Sequence, residues 1–242
     1  MQLNSLKRKQ LFAAVLLTLS ANVGAHAIWI EPVAGATHVC FGEYDANLRE
    51  KTGGTLDKIT PDKIALLDAS ASNAAEKISF TRQVDYLLLT NANLQNQPIQ
   101  DQPITDKQSL ILQVTKSKVR DSKDPKIGMV KPMQYARFAT AEIEPASALA
   151  LDIQPITKNT YRLNLNGKPL AKTKLMVTAP NQWQRELKTN DAGEVSFDKP
   201  WDGLYVIEAS YVESIKGEFE GEKYDAIRHV STLSISTLST RK

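Results

Sequence analysis

The side chains best suited to chemistry are few. The chain has three histidines, His26, His38 and His229, and one cysteine, Cys40. Imidazole nitrogen combined with carboxylate oxygen is a donor set for divalent transition metals. His26 stands close in sequence to Glu31, which lies between Trp29 and Pro32 and is either a neighbour of His26 or a solvated turn charge. If the chain is cut after Ala25, the α-amine and the imidazole of His26 belong to one residue and can chelate a metal together. A second imidazole would complete a three-nitrogen site suited to nickel or copper. His38 and Cys40 alternate about Val39, so on a strand they share a face. They offer either one nitrogen and one sulfur ligand or a half-buried strand face with Cys40 as a small hydrophobe. Glu43 follows Gly42, and with Tyr44 and Arg49 it forms either a binding group or a capped turn with surface charge. His229 precedes an apolar run and is either a strand-opening surface residue or a ligand. The candidate metal set is therefore His26, His229, Glu31, Glu43 and His38, and the expectation is that His26 and His229 meet.

Other chemistries lack their signatures. There is no Gly-x-Ser-x-Gly, no His-Glu-x-x-His, no Cys-x-x-Cys and no phosphate loop. Acidic residues are plentiful, but no spacing singles out a catalytic pair or a calcium loop. The expectation is a non-catalytic protein.

These residues follow a distinctive N-terminus. Lys7, Arg8 and Lys9 precede an uncharged apolar run over 11–19, and the small-residue stretch Ser-Ala-Asn-Val-Gly-Ala ends at Ala25. The run is far shorter than the roughly 20 residues that span a bilayer, and the arrangement reads as a secretory signal cleaved after Ala25, or alternatively after Ala27. The chain is thus expected in the periplasm. No later run is long enough to be a membrane-spanning helix. A lone cysteine forms no internal disulfide, so an ordinary apolar core must hold the fold. Of the 30 basic residues three lie before position 26, whereas all 27 acidic ones follow it. The processed chain is close to neutral and lacks the basic footprint of a nucleic-acid binder.

The elements that must position the candidates are strands. Short β-prone runs occur at 27–30, 37–41, 61–67, 78–80, 86–90, 110–114 and 135–142. Residues 43–51, closed by Gly53 and Gly54, suit one or two helical turns. Residues 91–108 and 116–132 are polar, proline-containing connections. The second half is clearer: Asn166-Gly167, Asp191-Ala192-Gly193 and Asp202-Gly203 are turn signals between the runs 161–165, 174–178, 184–187, 194–197, 204–211 and 229–235. Such spacing predicts an all-β chain of two β-sandwich domains, immunoglobulin-like or prealbumin-like, over 26–145 and 146–242, after a signal peptide over 1–25. Trp183 and Trp201 fall near turns of the second domain. They form either an aromatic surface or part of the core or sandwich rim, and the core or rim is the expected role.

The segment TNDAGEVSFDKPWDGLYVIEASY, from Thr189 to Tyr211, resembles carboxypeptidase-regulatory-like and collagen-binding-B-like β-sandwich modules. The segments AHAIWIEP, FGEYDANLREKTGGTLDK and GEKYDAIRHVSTLSI resemble a bacterial periplasmic family first catalogued as a domain of unknown function and labelled the periplasmic component of nickel or cobalt uptake. Here His38 and Cys40 stand beside the second of these motifs. The resemblance runs from His26 to about Ile235. It implies capture of nickel or cobalt, with iron or copper as alternatives, for an inner-membrane transporter or an outer-membrane receptor. The alternative is a non-catalytic periplasmic module that binds a protein or a glycan.

Overall fold

The computed structural model describes residues 26–33, 35–68, 78–91, 97–98, 108–139 and 147–237. The signal-like segment 1–25 and most of the polar connection 91–108 lie outside the described residues, as does the start of the passage at 146–151.

The chain is all-β. Its first sheet contains β1 (Ala27–Val33), β2 (Ala36–Glu43), β3 (Leu48–Arg49), β5 (Ile78–Arg82), β6 (Leu87–Asn91) and β7 (Gln97–Pro98), in the order β1-β2-β6-β5, with β3 on β2 and β7 on β6. A second sheet contains β4 (Lys63–Asp68), β8 (Gln108–Val114), β9 (Arg120–Asp121), β10 (Met129–Ala139), β14 (Lys174–Thr178), β15 (Gln184–Lys188), β17 (Leu204–Glu213) and β20 (Ala226–Ser236). Its order is β15-β14-β17-β20-β10-β8-β4, with β9 on β10. A third sheet holds β11 (Leu151–Thr157), β12 (Thr160–Leu165), β13 (Lys168–Pro169) and β16 (Glu194–Ser196), and β18 (Gly217–Phe219) pairs with β19 (Glu222–Tyr224).

The second sheet is the middle layer, because its strands carry apolar side chains on both faces. Successive residues of a strand point to opposite sides. Ile111, Tyr135, Ile207 and Leu233 point to one side, where they pack with Leu151, Ile153, Tyr161 and Leu163 of the third sheet. Leu110, Leu112, Ala136 and Phe138 point to the other, against Ile28, Ile30, Val39 and Phe41 of the first sheet. The two sandwich cores thus share a sheet, and strands from both 26–145 and 146–242 build it. The seam is β10 against β20, which run parallel from Val130↔Ala226 to Ala139↔Ile235.

Polar side chains tie the layers where apolar contact leaves backbone or charge to satisfy. Thr232 Oγ1 donates to the carbonyl of Ile28 at 2.6 Å, and Ser234 Oγ accepts from the amide of Ile30 at 3.3 Å. These bonds serve the edge of β1 that no strand pairs, which would otherwise be buried without partners. On the opposite face Arg137, fully buried, makes a bidentate pair with Asp152 at 3.0 and 2.7 Å. Ser109 Oγ accepts from the same guanidinium, and the amide of Ala148 donates to Asp152, so every charge there has a hydrogen-bond partner.

Two local expectations are revised. Residues 43–51 form no helical turn. They make a hairpin in which β3 folds back on β2, with Asn47 at φ 50° and its amide bonded to the carbonyl of Tyr44 at 3.1 Å. Gly42, at φ 148°, makes this possible: a Cβ there would fall 2.2 Å from the carbonyl oxygen of Leu48. The connection 116–132 is also less exposed than its composition suggests. It contains β9 and the start of β10, and Lys131 is buried, its Nζ donating to the carbonyls of Thr115 and Ser117 under the ring of Phe219.

Candidate functional site

The hairpin just described decides which carboxylates reach His26. Ala27 pairs with Gly42, so His26 lies beside Glu43 at the end of the first sheet. The amide of Glu50 bonds the carbonyl of Phe41 at 2.8 Å, which brings Glu50 back to the same place. The imidazole of His26 sits between the two: Nε2 is 2.6 Å from Glu50 Oε1, and Nδ1 is 3.5 Å from Glu43 Oε1. The ring leans on Phe41 with centroids 5.6 Å apart, and its side chain remains 37% exposed, so solvent and small ions reach it. Gln134 of the middle sheet donates to the carbonyl of His26 at 3.5 Å.

Glu208 of β17 lies within electrostatic reach of Glu43. Burial pushes the Glu208 carboxyl up to about 7, and the carboxylates of Asp45 and Glu43 push the same way, against Arg228. Nitrogen and carboxylate oxygen are the donors available around His26, a set that suits nickel, cobalt or copper better than a soft thiophilic ion. Among the described residues no group of three or more His, Cys, Asp or Glu has the geometry of a metal site.

The other candidates have different partners. Glu31 and His38 face one another in register across β1 and β2. The Glu31 carboxylate is buried and held by the indole N–H of Trp29 at 3.0 Å and by Arg49 at 2.8 Å. The His38 ring stacks on Tyr86, with centroids 3.7 Å apart and planes 11° from parallel. Burial, the largest influence, lowers its pKa. Cys40 is buried beside Trp29, and burial pushes its thiol up, so it stays protonated and packs as a small hydrophobe. Arg49 is thus a clamp on Glu31, and Tyr44 donates its hydroxyl to the carbonyl of Leu204.

His229 does not open its strand. It is the fourth residue of β20 and only 2% exposed. Its Nδ1 lies 3.1 Å from the Tyr135 hydroxyl and its Nε2 3.2 Å from Glu213. Burial lowers its pKa, outweighing the opposing pull of Glu213. Tyr135 and His229 point toward the third sheet, whereas Gln134, the residue that touches His26, points toward the first. The first and last strands do meet, through Ile28 and Thr232. Their histidines nevertheless lie on opposite sides of the middle sheet, so the structure brings together His26 with Glu43, and Glu31 with His38, but not His26 with His229.

Glu50, Gln134 and Glu208 are the members of this region that reading the sequence did not single out. For Glu50 the signal was present: read as a hairpin, FGEYDANLRE places its two glutamates on neighbouring strands. For Gln134 and Glu208 no local pattern identifies the neighbour. Comparison with protein families, curated proteins and solved structures found no match to this chain.

Proposed function

We propose that this is an exported, periplasmic protein that captures a transition metal for uptake, nickel or cobalt foremost, with copper or iron as alternatives. The supporting observation is the accessible imidazole of His26 held between the carboxylates of Glu43 and Glu50. The metal is cargo. His26 supplies ring nitrogen, and, if export processing ends after Ala25, its free α-amine as well. Glu43 and Glu50 supply oxygen and compensate the cation's charge. No covalent chemistry is required; capture and release follow from competition for these donors with the transporter or receptor that accepts the ion. Since imidazole ligates only as the free base, acidification weakens capture.

Two measurements test this reading. Mass spectrometry of the protein purified from the periplasm should give His26 as the first residue; a mature chain starting at Ile28 would remove the site. Calorimetric titration of that protein with nickel, cobalt, copper and iron(II) should give one-to-one binding by at least one ion. His26→Ala should abolish it, and Glu43→Gln or Glu50→Gln should each weaken it about 10–100-fold. No binding tighter than about 100 μM by any of the four ions would refute the proposal, since such a site is too weak for capture.

A further inference from the structure

Apart from the His26 group, two tryptophans stand where a core or rim role was expected. Trp183, in the turn from β14 to β15, is 49% exposed, and Trp201, in the turn from β16 to β17, is 39% exposed. Their ring centroids are 5.9 Å apart and the planes are tilted by 54°, so the indoles lean on each other and present one joined aromatic surface. They line a cleft of about 210 Å³ together with Val177, Phe197 and Tyr205 at the end of the core under the third sheet.

Both walls are fixed through their backbones. The Trp183 carbonyl accepts from the amide of Ala179 at 2.9 Å, and its amide donates to Asn181 Oδ1 at 3.1 Å. The Trp201 amide donates to the Tyr205 hydroxyl at 2.9 Å, and its carbonyl accepts from Thr237 at 3.1 Å. Exposed indoles on fixed backbones lose little freedom when a ligand stacks on them. The polar groups of the cleft are equally available. Arg185 lies opposite Val177 in the β14–β15 register, and its guanidinium makes no hydrogen bond or ion pair among the described residues. Asp198 receives one bond, from Asn159 to Oδ1 at 2.8 Å, which leaves Oδ2 open.

We propose that this cleft is a carbohydrate subsite that packs the face of one pyranose ring of an oligosaccharide against the exposed indole surface of Trp183 and Trp201, with Arg185 and Asp198 bonding its hydroxyls. A pyranose presents an apolar C–H face bordered by groups that both donate and accept. The cleft offers the matching set: indole faces for the C–H face, a cationic donor and a carboxylate acceptor for the rim. Its volume is below the roughly 300–1,000 Å³ of pockets that engulf a drug-sized molecule, which suits a single ring of a chain that continues into solvent. This site shares no residue with the metal proposal.

The test is calorimetric titration of the purified protein with cellohexaose, N-acetylchitohexaose and maltohexaose, in buffer containing EDTA so that metal plays no part. At least one should saturate a single site with Kd between about 10 μM and 1 mM. Trp183→Ala and Trp201→Ala should each weaken it about tenfold or more, and Arg185→Ala severalfold, with circular dichroism unchanged. Because Arg185 is a surface strand residue, its variant reads the site even if a tryptophan variant is destabilised. Failure of all three sugars to saturate below about 10 mM, or affinity unchanged in all three variants, overturns the proposal. So does saturation by a proline-rich decapeptide in place of every sugar.

Discussion

At the scale of single residues, the three histidines have three fates set by burial and partners. His26 is accessible between two carboxylates, His38 is stacked on Tyr86, and His229 is bonded at both ring nitrogens inside the molecule. The last two bear on stability. Burial lowers the pKa of His229 from its ordinary 6.5, so as pH falls the unfolded chain takes up the proton first. The unfolded state then binds more protons than the native one, and stability is lost as pH drops below about 6.5. In urea denaturation at a series of pH values, His229→Gln should show a shallower loss of stability below that pH than the parent protein. His38 acts with the same sign, so part of the slope should remain. An identical slope in the variant would show that protonation of His229 is not coupled to folding. The sequence made the histidines visible as candidates, and the neighbourhood of His26 and Glu43 could be read from it. That His229 is a core residue could not, because its partners Tyr135 and Glu213 come from two other strands and no spacing announces them.

At the scale of elements, β12, β14, β15, β16 and β17 were legible almost residue by residue, since Asn166-Gly167 and the later turn signals bound each apolar alternation, whereas β11, β18 and β19 were not read as strands and β20 begins three residues earlier than its apolar run suggested. The failures came where polar composition hid structure. The motif FGEYDANLRE looks helical by composition, yet Gly42 and Asn47 adopt backbone angles that only a tight reversal uses. The buried pair of Arg137 and Asp152 was also hidden, since a lone arginine in the β10 run looks like an outward-facing residue. Arg137 Nη2 and Asp152 Oδ2 are 2.7 Å apart with no exposure, and the pair joins the middle sheet to the third. Removing one member strands the other charge. Asp152→Asn should cost about 3–5 kcal/mol in urea denaturation, whereas replacing both by apolar residues, Arg137→Met with Asp152→Leu, should recover most of that loss. Equal loss in the single and double variants would show that packing, rather than charge, holds the joint.

At the scale of the whole molecule, composition and turn spacing revealed an all-β sandwich chain but not how its sheets share strands. The pattern of a strand states which face is apolar and leaves its neighbour unnamed, so the parallel union of β10 with β20 was invisible. That union has an energetic consequence. Because β8, β10, β17 and β20 form one continuous ladder, neither 26–145 nor 146–242 can be removed without exposing a long edge inside a core. We expect one cooperative transition in differential scanning calorimetry, with calorimetric and van't Hoff enthalpies in agreement. We also expect the separately expressed segment 26–145 to lack protected amides in hydrogen exchange. Two resolved transitions would contradict this. The same ladder orders events in time. β20 follows every other described strand in the chain, yet its place is between β17 and β10 at the middle of the sheet. Until its eleven residues emerge from the ribosome or an export pore, the earlier strands form two open pieces with no shared seam. Long-range pairing of this kind is slow. The late strand therefore acts as a keystone: the chain is kept loose by its own topology and locks only once β20 arrives, which under the proposed export would be on the far side of the membrane.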